Sequence, residues 1–273
     1  VYLPKFDTQD VIYAGLIKEL KEANLLLDAK KGLIKNDILF NGDVLKWKIF
    51  ANSLCMRLLL RRSNKVDPSA DMREMLANPT TYPLMDVLAH NAALKYVEAP
   101  NLFPLTATRS GDIQYVRLSK TFSDRLNTLQ DPRLPIFFQP TPESVTAGLP
   151  KYAGVLNGET DVNLGSNIVP KSSAIGLMYY RDIQVPVPAQ GQIMMVSELK
   201  FILAESVVKG YITGDAKKYY EDGIKASMDY LKSVSGVNIS ATATYLNQPG
   251  VVYNATNALN LIGTQRWIAL FYN

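Results

Sequence analysis

A mainly α-helical fold of paired helices, carrying long irregular loops, is what the sequence predicts. Three observations point to it. Apolar residues recur at helical spacing near both ends of the chain, over 7–98 and 193–273. Between them, 99–192 reads as a loop-rich insertion, and from 139 onward it is crowded with Pro, Gly, Ser, Asn and Thr. Two helical stretches also repeat one order of large and small side chains. The 273 residues are read as one domain in these three parts, incomplete at both ends.

The elements follow in order. Asp7 or Thr8 can cap a helix over Gln9–Asp28, with Ile12, Leu16, Leu20, Ala23 and Leu27 inward and Lys18, Glu19, Lys21 and Glu22 in water. Gly32 and Asn36-Asp37 end it. The next helix opens at Gly42-Asp43 and is apolar on two sides. Trp47, Phe50, Ala51, Leu54 and Leu58 form one stripe, and Leu45, Ile49, Met56 and Leu60 another. A helix with two stripes is covered from two directions. Asp67-Pro68 starts a short helix from Ser69 to Ala77, and Asp86–Val97 reads as another. Ser119–Leu129 is a helix stopped by Asp131-Pro132. Short strands are expected near 175–180. Helical spacing returns at Met194, with Ser197 as cap and Leu199, Ile202, Leu203 and Val207 inward. Gly210–Gly214 is a turn, Asp215–Leu231 the partner helix, and Asn257–Phe271 the last helix, opened by Asn254 or Thr256. Trp47 and Trp267 both read as core.

Ala204, between Leu203 and Val207, followed by Ala216, Tyr220 and Gly223, matches the small and large positions of a tetratricopeptide helix pair. Met228 stands where such a unit usually closes with Pro. Trp47, Phe50, Ala51 and Leu54 repeat the first half of the pattern. One greasy side then meets the partner helix and the other meets the next unit.

Composition removes several classes of function. The net charge is +4 with Lys and Arg dispersed, so there is no footprint for nucleic acid. His90 is the only histidine and Cys55 the only cysteine. A Ser-His-Asp or Cys-His arrangement would have to use them, and a metal site has too few soft ligands. His90 is read as a satisfied structural side chain and Cys55 as an inert buried thiol. Phosphate-cradling glycine loops are absent, and Glu221-Asp222 lies between lysines on a wet helix face. No apolar run approaches the roughly 20 uncharged residues of a membrane span. The chain reads as a binder without cofactor or metal, not an enzyme.

Six stretches resemble one family. They are Lys46–Leu54 (KWKIFANSL) with Arg57, the Asp131-Pro132-Arg133-Leu134 turn, and Tyr152–Gly158 (YAGVLNG). Glu198–Glu205 (ELKFILAE), Gly214–Met228 and Thr264–Phe271 (TQRWIALF) complete the set. Together, and in this order, they resemble the SusD/RagB-like outer-membrane nutrient-binding lipoproteins, in the SusD-like branch. The resemblance implies an α-α superhelix of tetratricopeptide-like pairs whose long loops build the ligand surface. It implies non-enzymatic binding of a glycan or oligosaccharide at the cell surface, and delivery to a SusC-like TonB-dependent transporter. It also implies an outer-membrane location through an N-terminal lipid anchor that this chain lacks. Alternatives are a peptide-binding lid of the RagB type, a secreted glycan-processing enzyme, and a repeat scaffold holding a peptide in a groove.

Sugars are held by aromatic faces with polar groups at the rim. The aromatics in or beside irregular segments are therefore the candidate ligand residues: Tyr82, Tyr152, Tyr179, Tyr180, Tyr245 and Tyr253.

Overall fold

The Asp43 carboxylate accepts a hydrogen bond from the Lys46 amide and so caps the helix predicted from the apolar run after it. The computed structural model describes residues 6–96, 103, 116–159, 168–179 and 189–271. Helices α1 (Gln9–Leu26), α2 (Val44–Arg62) and α3 (Ser69–Ala77) precede strand β1 (Ala92–Lys95). Helix α4 (Lys120–Thr128) is followed by the short helices α5 (Leu134–Phe137), α6 (Pro142–Thr146) and α7 (Val169–Lys171). Strand β2 (Gln190–Met194) leads into α8 (Val196–Val208), α9 (Ala216–Ser235), a short α10 (Ala243–Leu246) and α11 (Ala258–Ala269). β1 pairs with β2, and the fold is mainly helical.

Contacts divide the chain into two compact units. Unit 1 is Val1–Leu94, Gln192–Ala226 and Asn254–Asn273, and unit 2 is Lys95–Gly191 and Ser227–Tyr253. The stretch 227–253 thus groups with the loop-rich part of the chain.

In unit 1, α2 packs against α1, α3 and α8, and α8 also packs against α11. This is why α2 is apolar on more than one side. Ile49, Met56, Leu59 and Leu60 of α2 join Met72 and Met75 of α3 and Leu199, Ile202 and Leu203 of α8 in one buried cluster, with Met85 and Met194. Burying each such side chain contributes about 1.5–3 kcal/mol, and the unbranched methionines fill the gaps between helices of unequal length. The buried polar residues of α2, Asn52 and Ser53, both have partners. Asn52 Nδ2 donates to Asn24 Oδ1 of α1 at 2.9 Å and to the Pro83 carbonyl at 3.2 Å. Ser53 Oγ donates to Ile49 O and accepts from the Met85 amide. Arg57 donates to the Ile193 carbonyl and pairs with Glu198, which Arg266 also approaches at 3.6 Å. Arg266 reaches Glu205 at 3.4 Å as well. Three of the stretches that resemble the family therefore meet in one charged network.

The helix-pair pattern is visible in side-chain packing. Ala204 and Tyr220 are fully buried, and Tyr220 meets Phe201 edge-on with ring centroids 6.3 Å apart. A Cβ on Gly223 would lie 2.7 Å from the Phe201 ring, so only hydrogen fits there.

The structure corrects several expectations. Asp86–Val97 is not a helix. A 3-10 turn, Leu88–His90, leads into β1, and Val97 lies outside the described residues. Pairing with β2, far along the chain, overrides local helical spacing. Ser197 lies inside α8; the Asn91 side chain accepts from the Val196 amide and does the capping instead. On α1 the buried residues are Ile17 and Asn24, while Ile12 and Leu16 are exposed. The buried hydrogen bond from Asn52 to Asn24 turns that face inward. Trp267 is 46% exposed, because the buried row of α11 is Ala258, Leu261, Ile262, Gln265 and Ile268. Among the described residues near 175 there are single bridges, Arg117 to Ala174 and Phe138 to Ile175, and no strand. The last helix starts at Ala258, after a 3-10 turn that Asn254 caps, and Tyr272 and Asn273 lie outside the described residues.

Candidate ligand-binding site

Unit 2 begins from α4. Ser119 caps it through the Phe122 amide, and its inner face, Phe122 and Leu126, is buried. The Phe122 ring sits 6.3 Å from Phe137 and 6.2 Å from Phe138. Gln130 takes a left-handed φ of 44°, and the chain turns into Asp131-Pro132-Arg133. Both charged side chains are sealed from solvent. Arg133 donates through Nε to Asp131 Oδ1 at 2.8 Å and through Nη2 to Oδ2 at 2.6 Å. Tyr245 Oη donates to Asp131 Oδ2, and Arg133 Nη1 donates to Ser227 Oγ at 3.2 Å. Burial pushes the Asp131 carboxyl up, but the guanidinium and these hydrogen bonds outweigh it and hold the carboxyl below its ordinary value. Removing one partner of such a buried pair typically costs 3–5 kcal/mol, so the turn is pinned.

From this anchor the loops run outward. Gln139 ties to the backbone of Ala174 and Ile175. Thr141 caps α6, and its amide donates to the Lys151 carbonyl. The segment from 151 to 155 is held on two sides. Lys120 N donates to Val155 O, and Ser173 N donates to Ala153 O. Gly154 passes so near Ser119 that a Cβ would fall 2.3 Å from its carbonyl carbon. That accounts for glycine in the Tyr152–Gly158 stretch.

Two clefts adjoin along this segment and share Lys171. The larger, about 310 Å³, is lined by Thr141, Ser144, Leu149, Lys151, Ala153 and Lys171, with Glu143 and Ala147 completing the wall. The smaller, about 280 Å³, opens between Lys120, Val155, Glu159 and Lys171. Both stand at or just below the lower end of the roughly 300–1,000 Å³ usual for small-molecule clefts, so either could hold only a small group or part of a longer ligand.

None of the candidate tyrosines is among the described residues lining these clefts. Tyr82 lies in unit 1, half-buried against the helical core, with its hydroxyl 3.2 Å from Glu74. Burial and that contact raise its pKa. Tyr152 is half-buried between Lys151 and Ala153, which do line the larger cleft, and burial raises its pKa. Tyr179 is buried with its ring 6.5 Å from Phe103. Tyr245 is buried with its hydroxyl committed to Asp131. Tyr253 is half-buried, and Tyr180 lies outside the described residues. The lysines were missed by a search for aromatics. Their only sequence signal is that Lys120, Lys151 and Lys171 flank or punctuate the irregular stretch.

The residues read as inert are placed accordingly. Cys55 is buried, and burial pushes its thiol up to about 11. His90 Nδ1 accepts from the Asp86 amide, and burial lowers its pKa. Among the described residues no group of three or more His, Cys, Asp or Glu could hold a metal ion. None of their helices is long and apolar enough to cross a membrane.

The described residues thus form a mainly helical scaffold that carries two clefts on anchored loops. The chain belongs to the SusD-like family described as starch-binding and associating with the outer membrane, which it matches over residues 1–273. It is similar to the crystal structure of a SusD homologue from Bacteroides fragilis, with 30% identity, a TM-score of 0.83, and coverage of 99% of this chain and 62% of that one. A protein of Bacteroides vulgatus, described as an outer-membrane protein with a suggested part in nutrient binding, is 29% identical with a TM-score of 0.83; 100% of this chain and 63% of that one are covered. A chitin-binding protein is 26% identical with a TM-score of 0.80, over 99% and 59%. The chain thus spans about three fifths of the solved structures it matches. No curated protein matches it.

Proposed function

We propose that the protein binds a nutrient glycan at the outer face of the outer membrane and hands it to a SusC-like TonB-dependent transporter, without catalysis. The family match over residues 1–273, to proteins described as starch-binding and associating with the outer membrane, carries this reading. The similarity to a chitin-binding protein supports the glycan, and the anchored clefts of unit 2 are compatible with a site built on loops. A lipid anchor ahead of residue 1 and surface exposure belong to the same proposal. Tyr152 and Tyr253 remain its aromatic candidates, since both are half-buried in unit 2. Isothermal titration of the full-length protein against panels of oligosaccharides and peptides tests it. Saturable heat with one glycan class is expected. Heat with peptides alone would replace the glycan by a peptide cargo of the RagB type, and turnover of a bound glycan would overturn the non-catalytic reading.

A further inference from the structure

The charges lining the larger cleft are unequal. Lys151 and Lys171 both face it, are exposed, and have no ion-pair partner among the described residues. Lys120, which lines only the smaller cleft, differs: its ammonium is held by Asp124 at 2.6 Å. The carboxylate in the larger cleft is Glu143, in the first turn of α6, where the amide end of the helix offsets part of its charge. Glu159 lines the smaller cleft. Two lysines without an ion-pair partner among the described residues therefore line one cleft of about 310 Å³. Ala147, Leu149 and Ala153 add aliphatic surface to the same lining, which suits the apolar face of a ring.

We infer that the cargo is an acidic glycan, with a carboxylate or sulfate ester of one sugar held between Lys151 and Lys171. This rests on the glycan-binding reading above and narrows it to a substrate class. Ammonium groups act on anions as rotatable point charges, which accept either a planar carboxylate or a tetrahedral sulfate. A neutral starch or chitin oligosaccharide would itself bring no counter-charge to either lysine.

The test titrates the full-length protein with tetragalacturonate, its neutral methyl ester, a sulfated galactan oligosaccharide, maltotetraose, chitotetraose and pentaglutamate. The same titrations are run on the double variant Lys151→Gln, Lys171→Gln and on the control Lys232→Gln. All three positions are exposed, and circular dichroism checks that the fold is kept. Saturable binding of an acidic glycan is expected. It should weaken about tenfold or more in the double variant and remain unchanged in the control. It should also weaken between about 50 and about 500 mM NaCl. The two acidic probes separate carboxylate from sulfate. Equal binding of the methyl ester, or undiminished binding of the acid by the double variant, would overturn the acidic class and leave glycan binding standing. The same holds if only the neutral oligosaccharides bind. Silence from every glycan would bring down both readings, and binding of pentaglutamate alone would replace sugar by peptide.

Discussion

Two glycines inside helices of unit 1 should respond to alanine with opposite signs. Alanine in a helix interior is favoured over glycine by about 1 kcal/mol, through propensity alone. At Gly263 of α11 an added Cβ meets nothing within 4 Å, so Gly263→Ala should stabilise by up to about 1 kcal/mol. At Gly223 of α9 the same atom would sit 2.7, 2.8 and 3.0 Å from three Phe201 ring carbons. Phe201 is fully buried and flanked by Tyr220, so its ring has nowhere to swing. Overpacking of that kind costs about 1–3 kcal/mol and exceeds the gain in propensity. Gly223→Ala should therefore lose up to about 2 kcal/mol. At about 2–4 °C per kcal/mol for a chain of this size, the melting temperatures of the two variants should diverge by several degrees. Urea unfolding followed by circular dichroism gives the same comparison through the midpoint at constant slope. If both variants gain equally, the packing argument fails and Gly223 is not a contact position.

Four further expectations concern buried polar or ionisable groups. Arg133→Met should cost about 3–5 kcal/mol, read from urea midpoints, because it strands the Asp131 carboxylate; adding Asp131→Asn should recover part of that loss. The folded Asp131 carboxyl is held below its ordinary value, so its contribution is present above about pH 4 and lost as the pH falls through the folded value; a pH series in which Asp131→Asn flattens the acid limb checks the sign. Ser53→Ala should cost about 1–3 kcal/mol by leaving the buried Met85 amide without its acceptor. The Cys55 thiol, pushed up to about 11, should react with an aromatic disulfide reagent at neutral pH only on unfolding. Its favourable contribution to stability should be full below about pH 8.5 and fade as the pH rises through the folded value.

The legible parts of the fold are those where local and tertiary demands agree. Asp43 and Ser119 cap the helices predicted from the runs after them, and the two stripes of α2 match its several neighbours except at Leu45, which is exposed. Legibility fails where a distant residue decides. No spacing rule near Asn91 reveals that it caps α8, or that Ala92–Lys95 finds its partner in Gln190–Met194. The inward face of α1 was legible only in part: Leu20 packs on the core as expected, but Ile12 and Leu16 are exposed and the buried side chains include an asparagine, satisfied by another helix. The candidate site was less legible still. Aromatics were sought for stacking, yet Tyr245 was taken up by a buried carboxylate, and the clefts are lined by lysines and small residues from segments that meet only in the folded chain.

Both tryptophans, Trp47 and Trp267, belong to unit 1, whereas both clefts lie in unit 2. The tryptophan emission of these 273 residues is therefore a reporter for the helical unit. Trp47, edge-on to Phe40 and donating through its indole N–H to Asp37, should emit as a partly shielded ring; Trp267, on an exposed face, should emit further to the red. Ligand capture among the loops has no indole of its own to perturb. A quiet fluorescence titration would say nothing about cargo, and calorimetry, or a tryptophan introduced at exposed Leu149 on the cleft wall, is the means of seeing it.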